Sequence, residues 1–141
     1  MTMEKNTMNE YAEKSDSQKQ GVSTQCLDET EAALGIVLAQ QYRELFQLVN
    51  APTFGEWLFY PIKDKKNLKK TFDDVVRNTK LKWEEGLPQS FVAIAENGTG
   101  NVLCMKRDEA LVYHFHHEVQ APDKVFNDLK EFIDHSEDFE S

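Results

Sequence analysis

No apolar run in this chain approaches the roughly 18 to 20 residues that a membrane-spanning helix needs. The stretch from Met1 to Gln20 is polar where a secretory signal would be apolar. The expected location is therefore cytoplasmic, with no membrane partner. Cysteine is scarce: only Cys26 and Cys104 are present, and a reducing compartment keeps such thiols free. Positive charge is also short, with 16 Lys and Arg against 25 Asp and Glu and a formal net charge of -9. That balance opposes binding to nucleic acid or to an anionic membrane and favours a basic partner. The 141 residues leave room for one domain of ordinary size with a tail, and none for a separate catalytic domain beside a regulatory one.

Material for a core is plentiful. Hydrophobic residues make up 40% of the chain, and nine Phe, four Tyr and two Trp are available to fill an interior. Charge is unevenly distributed: Lys63 to Lys82 carries eight basic and three acidic side chains, whereas Asp123 to Ser141 carries seven acidic and two basic ones. Two surfaces of opposite sign are expected.

Residues 1–24 are rich in Asn, Gln, Ser, Thr, Lys and Glu, so ordering them costs backbone entropy for little burial. They are expected to form a flexible polar tail, leaving residues 25–141 as a single domain. Leu27, Thr30, Ala33 and Leu34 mark one helical face, closed by Gly35 at a C-terminal position. Tyr42, Leu45, Phe46 and Val49 share the stripe of a second helix, which Asn50, Ala51 and Pro52 end. Trp57 to Tyr60 suits a buried strand.

A third helix is expected from Asn67, with Leu68, Phe72, Val75 and Val76 inward and Lys69, Lys70, Asp73 and Arg77 outward. Phe91 to Ala95 and Val102 to Met105 flank Asn97, Gly98, Thr99 and Gly100, a hairpin signal. Leu111 to Phe115 supplies another strand, and Pro122 to His135 reads as a closing helix. The expectation is an α+β fold: a largely antiparallel sheet of about four to six strands with two N-terminal helices, a middle helix and a C-terminal helix.

Several of these residues resemble the SUKH superfamily, which includes fungal Smi/Knr regulators of cell-wall synthesis and bacterial toxin-immunity proteins. Glu31, Leu34, Gly35, Leu38, Tyr42, Leu45, Phe46 and Asn50 look like the family's opening. Phe91 to Ala95 with Asn97, Gly98, Gly100, Asn101, Leu103 and Cys104 looks like its apolar strand, glycine turn and second strand. Val112, Tyr113, Phe115, His116, Phe126, Leu129 and Phe132 agree with its closing part, so the resemblance spans about residues 27–135. Ala39 stands where proline is usual and Ala51 where glycine is usual. The resemblance implies a SUKH-like domain that binds another protein, commonly a toxin from a neighbouring gene, with no catalysis and no cofactor. Its motifs consist of core and turn residues, which speak for fold more than for a site.

His114, His116 and His117 cluster, and strand alternation puts His114 and His116 on one face, yet two ligands do not complete a zinc site. Cys104 lies inside an apolar run, where a core role outweighs a nucleophilic one. Asn97, Gly98 and Thr99 match a glycosylation acceptor, and the turn reading prevails without a secretory signal. Lys66, Lys69, Lys70 and Arg77 form a basic face without a nucleic-acid reader motif, and a solvated face is the expectation.

The expected partner-binding residues are Trp83, as an apolar anchor, with Glu84, Glu85, Asp108 and Glu109 around it. The leading functional expectation is an immunity protein that neutralises a toxin, for example a nuclease, through acidic contacts on a basic cleft. The alternatives are a regulatory or scaffolding module of the same fold, and a metal-assisted hydrolase centred on His114 and His116. The sequence leaves the oligomeric state open.

Overall fold

Turn chemistry between short apolar runs divides the chain into an antiparallel meander, with helices at both ends and one inserted after the second strand. The computed structural model describes residues 6–116, 118 and 121–139. The elements run α1 (Asn9–Glu13), α2 (Thr24–Leu34), α3 (Gln40–Leu48), β1 (Thr53–Phe54), β2 (Trp57–Phe59), a single 3-10 turn (Lys65–Asn67), α4 (Val75–Glu84), β3 (Phe91–Glu96), β4 (Val102–Lys106), β5 (Val112–Phe115), β6 (Asp123–Phe126) and α5 (Leu129–His135). The strands form one sheet in the order β1-β2-β3-β4-β5-β6 with every neighbour antiparallel. This is the α+β architecture expected from the sequence, at the upper end of the expected strand number. Among the described residues no helix is long and apolar enough to cross a membrane.

Local sequence explains the first two long helices. The Ser23 hydroxyl accepts the Cys26 N–H to start α2, and Gly35, at φ 69°, ends it in the left-handed region that glycine enters without penalty. Glu31 then reaches forward: its carboxylate accepts the Leu38 N–H at 2.8 Å and pairs with Arg43 at 3.1 Å, fixing the link from α2 to α3. α3 buries Tyr42, Leu45 and Phe46 on its predicted stripe.

The middle strands are covered on both faces, because all of β3 except Glu96 and all of β4 except Lys106 are buried. On one face Phe54 and Phe59 pack against Phe132 of α5, with ring centroids 6.3 and 6.0 Å apart, and Phe46 of α3 lies 6.2 Å from Phe59. Phe91 and Tyr113 meet edge to face at 4.9 Å; Tyr113 belongs to the opposite face from His114, its neighbour on β5.

β2 reaches β3 only at Leu58↔Glu96 and Phe59↔Ala95, so the first half of β3 has no strand beside it there. α4 takes that edge. The Thr79 hydroxyl accepts the Ala93 N–H at 3.0 Å and donates to the Ala93 carbonyl at 3.4 Å, and Trp83 Nε1 donates to the Phe91 carbonyl at 2.9 Å. Backbone groups that would otherwise lie open are thereby satisfied by side chains.

Three expectations are corrected. Residues 6–22, expected as tail, pack on the body. Met8, Ala12 and Val22 are buried, the Asp16 N–H donates to the Thr53 carbonyl at 2.9 Å, and the Val22 N–H donates to the Phe46 carbonyl at 2.9 Å. Gly21 permits this approach, since a Cβ there would collide with the Gln47 carbonyl.

The middle helix begins at Val75 rather than Asn67, because buried Asp74 caps it by accepting the Arg77 N–H at 3.0 Å. Leu68 and Phe72 consequently lie outside it, 50% and 69% exposed. The closing segment is a strand followed by a helix. Val125 and Phe126 belong to β6, paired with β5, and Asp128 caps α5 at the Glu131 N–H.

Ala51 adopts φ 50°, a left-handed conformation that costs an alanine about 1–2 kcal/mol and a glycine little. Ala51→Gly should therefore raise unfolding stability by about 0.5 kcal/mol after the extra freedom of the unfolded glycine, about 0.4–1 kcal/mol, is subtracted. Urea denaturation reads this directly, and a lower midpoint for the variant would contradict the strain.

Candidate functional site

Of the five residues expected to bind a partner, Trp83 and Glu109 are linked through Phe91 and Tyr113 at the start of β3, whereas Glu85 lies toward the opposite end of that strand, since its partner Lys82 also donates to the Gly100 carbonyl in the β3–β4 turn at 3.3 Å. Trp83 and Glu84 close α4 and Glu85 follows it, while Asp108 and Glu109 occupy the turn between β4 and β5. Two contacts join the groups. The Arg107 N–H donates to the Ser90 carbonyl at 3.1 Å, and Phe91, whose carbonyl Trp83 holds, packs on Tyr113, whose hydroxyl donates to Glu109 at 3.3 Å.

Trp83 is half-buried against the core and its one polar atom is committed to Phe91, so only part of the indole remains for a partner. Glu84 and Asp108 are exposed. Glu85 is exposed as well and pairs with Lys82 at 3.1 Å. Asp108 sits at φ 49°, where aspartate is better tolerated than most residues, and its N–H donates to the Val37 carbonyl at 2.9 Å. Burial, then the neighbouring Glu109 carboxylate, raises the Tyr113 phenol above its ordinary value, which keeps it protonated as the donor.

Lys106 and Arg107 separate the two acidic pairs along the chain, and Lys106 Nζ stands 5.9 Å from the Phe91 ring. The face is thus mixed in sign. Val37, 43% exposed, adds an apolar side chain beside Asp108, and sequence patterning missed it because it lies in a loop without periodicity.

The other candidates resolve into structural roles. Cys104 is buried in β4, and burial pushes its thiol well above the ordinary range, away from nucleophilic use. Asn97 closes the β3–β4 turn, its side-chain oxygen accepting from the Thr99 hydroxyl at 2.6 Å and the Thr99 N–H at 3.2 Å. The basic residues do not share one helix: Lys66 is in the 3-10 turn, Lys69 and Lys70 follow it, and Arg77 lies on α4, paired with Asp73 at 3.1 Å.

His114 lies within the sheet's aromatic packing, its ring 6.1 Å from Trp57, 5.8 Å from Phe139 and 6.3 Å from His116. His117 falls outside the described residues. Among the described residues no three His, Cys, Asp or Glu side chains gather closely enough to hold a metal ion.

The profile of the SUKH_5 family, SMI1-KNR4 cell-wall, matches residues 4–138. A crystal structure of a protein from Pseudomonas syringae pv. tomato is similar in fold, with a TM-score of 0.67 and 14% identity over 89% of this chain and 91% of that one. No curated protein matches the chain.

His114 carries a pH prediction. Burial, then His116, holds it below the ordinary histidine value of 6.5, with Asp123 opposing, and its Nε2 is buried without a hydrogen-bond partner among the described residues. Between the folded and ordinary values the unfolded chain binds more protons, so stability present at neutral pH is lost as the pH falls through about 6.5 toward the folded value. His114→Phe should therefore flatten the fall in Tm between about pH 7 and about pH 5. An unchanged slope would remove His114 as a cause.

Proposed function

The chain belongs to the SUKH_5 family, SMI1-KNR4 cell-wall, and from that premise we propose that it is a protein-binding immunity protein, which neutralises a cognate bacterial toxin by direct contact. The observation that carries this reading is where the chemically versatile side chains go. Glu31, Asn50, Thr79 and Trp83 bond to backbone groups within the fold, and Cys104 lies in its interior. The polar groups left for external work are surface charges, with a formal net charge of -9 over the chain.

A toxin with a basic cleft, as a nuclease would have, fits that imbalance, because long-range attraction speeds encounter and an acidic protein competes with a polyanionic substrate. Glu84, Glu85, Asp108 and Glu109 are the proposed contacts, with the exposed part of Trp83 as an apolar anchor. A metal-assisted hydrolase finds less support, since His114 packs against Trp57 and Phe139 and lacks a third ligand among the described residues. A second reading, a regulatory or scaffolding module, draws on the cell-wall description of the family.

Co-expression with the toxin encoded next to this chain separates the two readings. Immunity predicts growth rescue and a complex that co-purifies at physiological salt. Well-expressed chain without rescue would put the regulatory reading first. Glu84→Lys combined with Asp108→Asn, which keeps a residue suited to the left-handed turn, should weaken the complex about tenfold, mainly through slower association, and reduce its salt dependence. Equal affinity and equal salt dependence would remove this face from the interface.

A further inference from the structure

A surface groove of about 550 Å³ opens between α2 and the beginning of α4, lined by the largely apolar Cys26, Ala33, Leu68 and Val76 together with Thr30, the lysines Lys63 and Lys65, and two acids, Glu29, which pairs with Lys65, and Asp74, which caps α4. Leu68 is 50% exposed, and Phe72 on the same loop is 69% exposed with the Arg77 guanidinium 5.4 Å from its ring. Large apolar side chains left out beside an apolar groove mark a place where something else binds.

Charge indicates what. Lys63, Lys65, Lys66, Lys69 and Lys70 are all exposed within eight consecutive residues whose single acid is Asp64. Among the described residues Lys65 alone of these five has a carboxylate partner, Glu29 at 3.4 Å. The nearby aspartates are engaged, Asp64 accepting the Lys66 N–H at 3.0 Å and Asp74 capping α4. A chain of net charge -9 thus concentrates five lysines around its exposed apolar loop.

We infer that the α2–α4 groove docks an acidic protein segment whose two or three apolar anchors enter between the helices while its carboxylates meet these lysines. Helical grooves accept amphipathic segments in this manner. Nucleic acid fits less well: no aromatic side chain among the described residues lines the groove for a base to stack on, Phe72 already faces a guanidinium, and the overall charge repels a polyanion. A lipid surface fits less well because much of the apolar area lies inside a cleft, out of reach of a flat interface. The inference is independent of the toxin reading, since it concerns a different surface.

Cys26 supplies the readout. It lines the groove and is partly accessible, whereas the other cysteine, Cys104, is buried. The full chain would be used to select displayed random peptides of roughly twelve residues, and enriched sequences would be resynthesised as probes. The expected peptides carry net negative charge and at least two large apolar residues. They slow the reaction of Cys26 with a thiol reagent about tenfold at saturation. They also bind about tenfold more weakly to Lys65→Glu/Lys69→Glu and to Leu68→Ser/Phe72→Ser.

These four positions are exposed, so both variants should melt with the parent chain, which separates lost docking from lost folding. Selection of no common sequence, selection of peptides without carboxylates, or peptides that leave Cys26 reactivity unchanged would overturn the inference. So would tighter occupation of the groove by a single-stranded oligonucleotide, by phosphatidylserine vesicles or by a second copy of the chain.

Discussion

The side chain of Asn50 holds the two halves of the molecule in register. It is buried, its oxygen accepts the Ile62 N–H at 2.9 Å, and its nitrogen donates to the Ile62 carbonyl at 3.2 Å. Both backbone groups of a fully buried residue are thereby paired by one amide, and removing it would leave them unsatisfied at about 1–3 kcal/mol each. Its neighbours extend the constraint, with the Tyr60 N–H on the Ile94 carbonyl and the Val75 N–H on the Pro61 carbonyl, each within about 3.0 Å. Residues 60–62 are so fixed between the sheet and the start of α4. That placement determines where α4 covers the edge of β3 and where the lysine-rich loop emerges.

The same economy runs through the residues that carry the family resemblance. Glu31 ties α2 to α3, Gly35 supplies a left-handed helix end, Asn50 clamps Ile62 and Asn97 shapes the β3–β4 turn. Each has a polar or conformational property that a catalytic site could use, and each uses it on the backbone. The two surfaces proposed for recognition are ones on which few side chains are structurally committed: the mixed-charge region around Glu84 and Asp108, and the groove between α2 and α4.

Elements were legible in the sequence where one signal stood alone. α2 and α3 have apolar stripes with clear stops, and β3 and β4 have apolar runs around a glycine turn. Where two signals overlapped, the tertiary context decided. Leu68, Phe72 and Val76 keep helical spacing, but Asp74 offers a better N-cap than Asn67, and the helix starts there. Val125 and Phe126 continue the stripe of α5, yet β5 presents an edge that pairs with Asp123, Lys124 and Phe126 and leaves Val125 at an irregularity between them.

Residues 6–22 gave no stripe because their anchors are few and scattered, Met8, Ala12 and Val22, and the rest of their attachment is backbone hydrogen bonding. Of the candidate partner residues, the types were legible and the link from Trp83 to Glu109 was not, since it depends on the contact of Phe91 with Tyr113 across the sheet. The hydrogen bond that partly commits Trp83 was likewise invisible, because its acceptor is a backbone carbonyl exposed only where β2 ends short.

If the interior takes up most of the reactive chemistry and the exterior binds protein, hydrogen exchange of the chain, alone and with the product of the gene beside it, will show new protection confined to surface segments around residues 84–85 and 107–109 or 63–72, with the amides of β3 and β4 equally slow in both states. No new protection at any surface segment, together with turnover of a small substrate by the chain alone, would contradict this division.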